Sequence, residues 1–251
     1  MVGWLTFGGR RRVSLEPAVL CGLTVLRAET ALPRRRSEAA LLRRAGLGAE
    51  KLARAGCRRV LTAPGFPCWE ALAERGLRPV DPEPLCQAMA GSLALGWLEE
   101  RGVAPQRASV ALRGARVSRA LFDAAVLLCP RVRLLAVSAP DGGEELRRFL
   151  REEFGVPALE AEAVESHCTL LFSPEEEMPR GGVLRLHGPR PALDGLALEA
   201  PEAALPGELE PLPALSLLWE EGRLPLEKIR VCPAGADGNS LDSGGQTTYN
   251  I

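Results

Sequence analysis

Residues 109–156 constrain the fold of this chain more than any other stretch. Ser109-Val110-Ala111-Leu112 is a short apolar run closed by Arg113-Gly114, and Ser118 to Leu128 continues with apolar residues on nearly every side. That is the composition of a strand leading into a helix buried against a sheet. Arg133 to Ser138 reads as a second buried strand. Pro140-Asp141-Gly142-Gly143 supplies a turn, and Leu146, Phe149, Leu150 and Phe154 then recur at helical spacing until Gly155 and Pro157 stop them. Strand, helix, strand, helix at this spacing predicts the right-handed crossover unit of a parallel sheet.

The bend at Gly114 invites comparison with the Gly-x-Gly-x-x-Gly fingerprint of dinucleotide sites. There the glycines serve the turn, the approach of pyrophosphate to backbone, and helix–strand packing. With Gly114 first, the other two positions hold Arg116 and Arg119. The acid that binds a ribose diol about 20 residues further on falls near Ser138, with Asp141 the nearest carboxylate. Ser138 cannot replace a bidentate acceptor. Two readings of the arginines stand side by side. Beside Ser118 at a helix start, their guanidinium groups can hold a phosphate, the 2′-phosphate of NADP included. Alternatively they are solvated side chains, the commoner fate in a chain with 31 Lys+Arg.

Three further strands are predicted, Leu159 to Val164, His167 to Pro174 and Gly182 to Gly188. From Ser109 to Val231 the element order resembles the NAD(P)-binding Rossmann proteins of the shikimate dehydrogenase kind. The resemblance implies an α/β fold, a mostly parallel Rossmann-like sheet flanked by helices, with NAD or NADP as candidate cofactor. It also implies a ligand edge where the run ends in Ser173-Pro174. Gly114, Arg116, Ser118, Arg119, Ser138 and Ser173 are the candidate cofactor-binding residues.

The first hundred residues alternate in the same way and predict a smaller α/β domain. Leu5 to Phe7, Leu20 to Ala28 and Arg59 to Ala63 read as strands, and Ser37 to Ala45, continued by Ala49 to Ala55, as helix. Trp69 to Leu77 is a short helix closed by Gly76. The clearest helix is capped by Asp81, with Pro82 in its first turn and Leu85, Met89, Leu93 and Trp97 down one face until Gly102. Such a stripe is core far more often than a cofactor site. A linking helix there gives one domain over residues 1–103 and a Rossmann-like domain over 107–232, with a disordered tail over 233–251 where Gly, Ser, Asn and Asp take over. Pro189 to Pro213 predicts an irregular surface connection with a short strand at Leu196 to Glu199. Leu215 to Glu221 predicts a helix and Ile229 to Val231 a last strand.

Composition removes several function classes. A net charge of −1 and aromatics at 4% give neither a basic field nor stacking platforms for nucleic acid. No apolar run approaches the roughly 20 residues of a membrane span, and Arg10-Arg11-Arg12 after the first apolar residues is the reverse of a secretory signal. Seven cysteines, odd in number and scattered among Leu, Val and Ala, predict reduced core thiols and a cytoplasmic protein. No Cys/His cluster with metal spacing is present.

Acid–base candidates are scarce. Lys51 and Lys228 each sit beside a glutamate, and His167 and His187 lie at strand ends. His167 and Cys168 are strand neighbours and point to opposite faces, so they cannot form a nucleophilic pair. The first expectation is therefore a degenerate Rossmann-like protein, non-catalytic, that binds a small ligand or protein partner at its carboxyl edge. An NAD(P)-dependent oxidoreductase with a non-standard phosphate loop is the alternative. An adaptor whose Arg34-Arg35-Arg36 meets an acidic partner is a third.

Overall fold

A computed structural model describes residues 1–9, 13–33, 37–161, 164–175 and 179–235. The basic runs Arg10-Arg11-Arg12 and Arg34-Arg35-Arg36, and the tail from residue 236, lie outside them.

The amino-terminal half builds a five-stranded sheet. Its strands are β1 (Val2–Gly8), β2 (Ser14–Leu20), β3 (Leu23–Ala31), β4 (Arg59–Leu61) and β5 (Arg78–Pro79), in spatial order β2-β3-β1-β4-β5. β1 runs parallel to β3 and β4, and only β2 is antiparallel. Side chains of β1 alternate as a two-residue period demands. Val2 and Trp4 enter one apolar cluster and Leu5 the other. Helix α1 (Glu38–Arg54) covers the Leu5 face. It lies close enough that a β-carbon on Gly3 would stand 2.9 Å from Leu52 Cδ1. Helix α2 (Trp69–Ala73) follows β4.

Two expectations are corrected here. Leu20 to Ala28 is not one strand, because Cys21 (φ 46°) and Gly22 (φ 77°) form a two-residue hairpin turn joining β2 to β3. Nor is the helix after Asp81 continuous. α3 (Glu83–Ala88) and α4 (Ala90–Glu100) meet at Met89, where ψ flattens to 4°, and Gly91 then packs against Leu127. The N-cap position of α3 falls on Pro82 rather than Asp81, whose Oδ1 nonetheless accepts from Glu83 N–H at 3.0 Å at the helix start.

The second sheet is wholly parallel. It comprises β6 (Ser109–Arg113), β7 (Leu134–Ser138), β8 (Cys168–Leu171) and β9 (Gly182–Arg185), in order β7-β6-β8-β9. Helix α5 (Arg119–Leu128) links β6 to β7, and α6 (Gly143–Phe154) leaves β7. The strand expected at Leu159 to Val164 is reduced to a single parallel bridge from Leu159 to Ala136. Ala158 and Ala161 are buried while Leu159 is exposed, so the residues after Pro157 lack the alternation that an added strand needs. Residues 162–163 of that segment lie outside the described ones. Counted with the bridge, the order of the second sheet is 3-2-1-4-5, the order of a doubly wound nucleotide fold. The protein is α/β, with mostly parallel sheets flanked by helices and a Rossmann-like second half.

The segment after Pro189 is not merely a surface connection. Leu193, Leu196, Leu198, Ala200 and Leu209 are buried in the larger cluster. β10 (Leu196–Glu199) pairs antiparallel with β11 (Arg230–Pro233) in a separate two-stranded sheet, and α7 (Pro211–Glu220) lies between them in sequence. The larger apolar cluster runs from Val2 and Trp4 through α3 and α4 to β6, β8 and α7. Trp97 fixes part of that junction, its Nε1–H donating to Asp194 Oδ2 at 2.8 Å. No helix among the described residues is long and apolar enough to cross a membrane.

Candidate functional site

Winding reverses between β6 and β8, so the crevice in which such sheets bind ligands opens outside Arg113 and Leu171. Three of the expected residues meet there. Gly114 N–H donates to the carbonyl of Ser138 at 3.0 Å, and Ala115 N–H donates to Ser173 Oγ at 2.9 Å. Val117 N–H donates to the carbonyl of Asp141 at 2.8 Å, and Ser118 caps α5 by accepting from Leu121 N–H at 3.2 Å. Four N–H groups of the bend and first helical turn are thereby held within the chain. The backbone at Gly114 is closely packed, since a β-carbon would stand 3.2 Å from Leu121 Cδ1 and 3.4 Å from Phe172 Cβ.

The two expected arginines are exposed to solvent. Arg116 is exposed, while its backbone bridges to Asp141. Arg119 pairs through Nε with Asp123 at 2.8 Å, one helical turn on, and is 89% exposed. Across the crevice, α3 brings Glu83 and Gln87. Glu83 Oε2 accepts from Gly188 N–H at 2.6 Å, and Gln87 Nε2 donates to the carbonyl of Phe172 at 3.2 Å. Arg113 and Glu175, both mostly buried, form an ion pair at 3.1 Å beside them.

Of the four acid–base candidates, His167, Lys51 and Lys228 are also engaged. His167 Nδ1 lies 2.8 Å from Ser109 Oγ and accepts from Ser109 N–H at 3.1 Å, at the amino edge of the sheet, opposite the bend. Lys51 Nζ donates to the carbonyl of Val13, and Lys228 Nζ pairs with Glu202 at 2.6 Å. That hydrogen bond holds the Glu202 carboxyl below its ordinary range. Burial pushes the Cys86 and Cys168 thiols up to about 12, which makes them poor nucleophiles. No metal-sized group of three His, Cys, Asp or Glu occurs among the described residues.

A second location was not foreseen from sequence. A cleft of about 990 Å³ opens at the carboxyl end of β4, at the upper end of the range for small-ligand sites. Thr62, Phe66 and Trp69 line one side, and Arg190, Glu210 and Pro213 the other. Phe66 is stacked on Phe7 at 5.9 Å and meets Trp69 edge-on at 5.4 Å. Glu210 N–H donates to the carbonyl of Thr62 at 2.9 Å and ties the two sides together.

Glu210 is also the N-cap residue of α7, yet its carboxylate does not cap the helix. A capping side chain accepts from the N–H at the second or third helical position, and the third is Pro213, which has none. Among the described residues the carboxylate has no hydrogen bond or ion pair. Burial pushes its pKa up, and Arg190 partly opposes the shift.

No family model matches the chain, and no curated protein is similar enough to match. L-tryptophan dehydrogenase from Nostoc punctiforme is similar over 59% of this chain and 44% of the enzyme, at 15% identity and a TM-score of 0.30. A glutamate dehydrogenase is similar over 68% and 51%, at 11% identity and a TM-score of 0.25. The chain spans about half the length of these two enzymes. Neither is a shikimate dehydrogenase, and the fold assignment rests on strand order alone.

Sequence reasoning missed the cleft because its two sides come from residues 60–82 and 189–213. The available signal was the density of proline in both stretches.

Proposed function

We propose that this chain is a non-catalytic small-ligand-binding protein, in which the bend after β6 joins the two halves of the sheet rather than holding a dinucleotide. One observation carries this reading: the N–H groups of Gly114, Ala115, Val117 and Leu121 are all spent within the chain. A pyrophosphate would have to displace Ser138, Ser173, Asp141 and Ser118 from them, and it would find Arg116 and Arg119 where backbone approach calls for glycine. The ligand is taken instead in the cleft beside β4, which offers aromatic rings and an unpartnered carboxylate. The free thiols of all seven cysteines suit a cytoplasmic setting.

A thermal-shift panel of NAD, NADP, nucleoside phosphates and sugar phosphates tests the first half. The expected result is no stabilisation by any of them. A rise in Tm with NADP that is lost in Arg116→Ala would contradict it and make the chain an oxidoreductase candidate.

A further inference from the structure

We infer that the cleft beside β4 is a site for an organic cation, an ammonium group carried on an aromatic or similarly apolar body. The inference rests on the cleft being the ligand site and adds the chemistry of what it takes.

Hydrogen-bonding capacity sets the sign of the ligand. Six of the sixteen lining residues are prolines, Pro67, Pro79, Pro82, Pro189, Pro191 and Pro213. Each keeps a carbonyl and contributes no N–H. A helix N-terminus opening on a cleft ordinarily attracts an anion through its free N–H groups. α7 has Pro211 and Pro213 in its first turn, so two of those donors are missing. Backbone N–H donors are therefore few along this wall, and the charged donor it holds, Arg190, is exposed.

Charge and shape agree with that sign. Glu210, which makes no cap bond to α7, is the one lining carboxylate with partial burial and no partner among the described residues, since Glu70 is exposed. A half-buried carboxylate is stabilised most by a cation that brings both opposite charge and N–H donors. Phe66, itself buried and stacked on Phe7, and the half-buried Trp69 give the cleft an aromatic wall against which the apolar body of such a ligand can pack. Arg190 is exposed at the rim, and its charge favours the ionised form of Glu210, the form that pairs with an ammonium group.

Isothermal titration calorimetry of the full chain with four phenyl-bearing probes tests this: 2-phenylethylamine, benzyltrimethylammonium, 2-phenylethanol and 3-phenylpropionate. The two cations are expected to bind, with 2-phenylethanol at least about tenfold weaker and 3-phenylpropionate weaker still. Glu210→Gln is expected to cost the amine at least about tenfold, and Phe66→Ala to weaken all binders. Equal amine binding by Glu210→Gln overturns the inference, with circular dichroism confirming that the variant is folded. Preferred binding of 2-phenylethanol or 3-phenylpropionate, lost in Phe66→Ala, overturns the cation and leaves the cleft as the ligand site. Absence of binding by all four probes overturns both.

Discussion

At Glu210 three local facts converge. Pro213 removes one of the two donors a cap can use, burial raises the carboxyl pKa, and Arg190 opposes that shift without pairing. A carboxyl whose pKa is higher folded than unfolded binds its proton more tightly in the folded chain. Its contribution therefore declines as pH rises from the ordinary carboxylate range through the raised value. Glu210→Gln removes the titration. The variant is expected to gain Tm relative to the parent at about pH 7.5, and the gain should shrink toward about pH 4, where the parent is protonated as well. A difference independent of pH between those limits would show that the carboxyl does not titrate in a desolvated setting.

At the scale of elements, the bend from β6 into α5 behaves as a capped strand–helix joint. Ser118→Ala should cost about 1 kcal/mol, the usual value of a lost N-cap, read as a lower urea midpoint with unchanged slope. No change in midpoint would mean the Ser118–Leu121 bond contributes nothing in solution. β6, α5, β7 and α6 are legible from sequence because each is bounded by its own signal. Gly114 and Ser118 mark the bend, and Gly142 and Gly155, both left-handed, delimit α6. The hairpin between β2 and β3 was hidden because its turn begins with Cys21, not Asn or Asp, in a left-handed conformation. The expected strand at Leu159 was misread because Leu, Ala and Val alternate with Glu there, while the chain buries Ala158 and Ala161 instead. α7 begins at Pro211 rather than Leu215, since proline fits a first helical turn although it cannot sit deeper. Of the candidate site, the grouping of Gly114, Ser138 and Ser173 could be placed from sequence. Their use as internal hydrogen-bond partners could not, because it depends on which atoms face each other across two loops.

At the scale of the molecule, two largely parallel sheets share one apolar cluster through α3, α4 and α7, and each presents a carboxyl edge. On the second sheet that edge is crossed by Glu83 and Gln87 and knit by Ser173. On the first it opens into the cleft, closed on its far side by the segment leading into α7. The proposed ligand site thus lies away from the edge that the strand order would have favoured. Such a reassignment has a direct spectroscopic test. Backbone amide shifts of the full chain would be followed by two-dimensional NMR during titration with NADP and, separately, with 2-phenylethylamine. The account predicts that the amine moves the amides of Thr62, Phe66, Trp69 and Glu210 and that NADP moves none from Gly114 to Arg119. Saturable NADP shifts at Gly114, Ala115 and Val117, with a silent cleft, would contradict it.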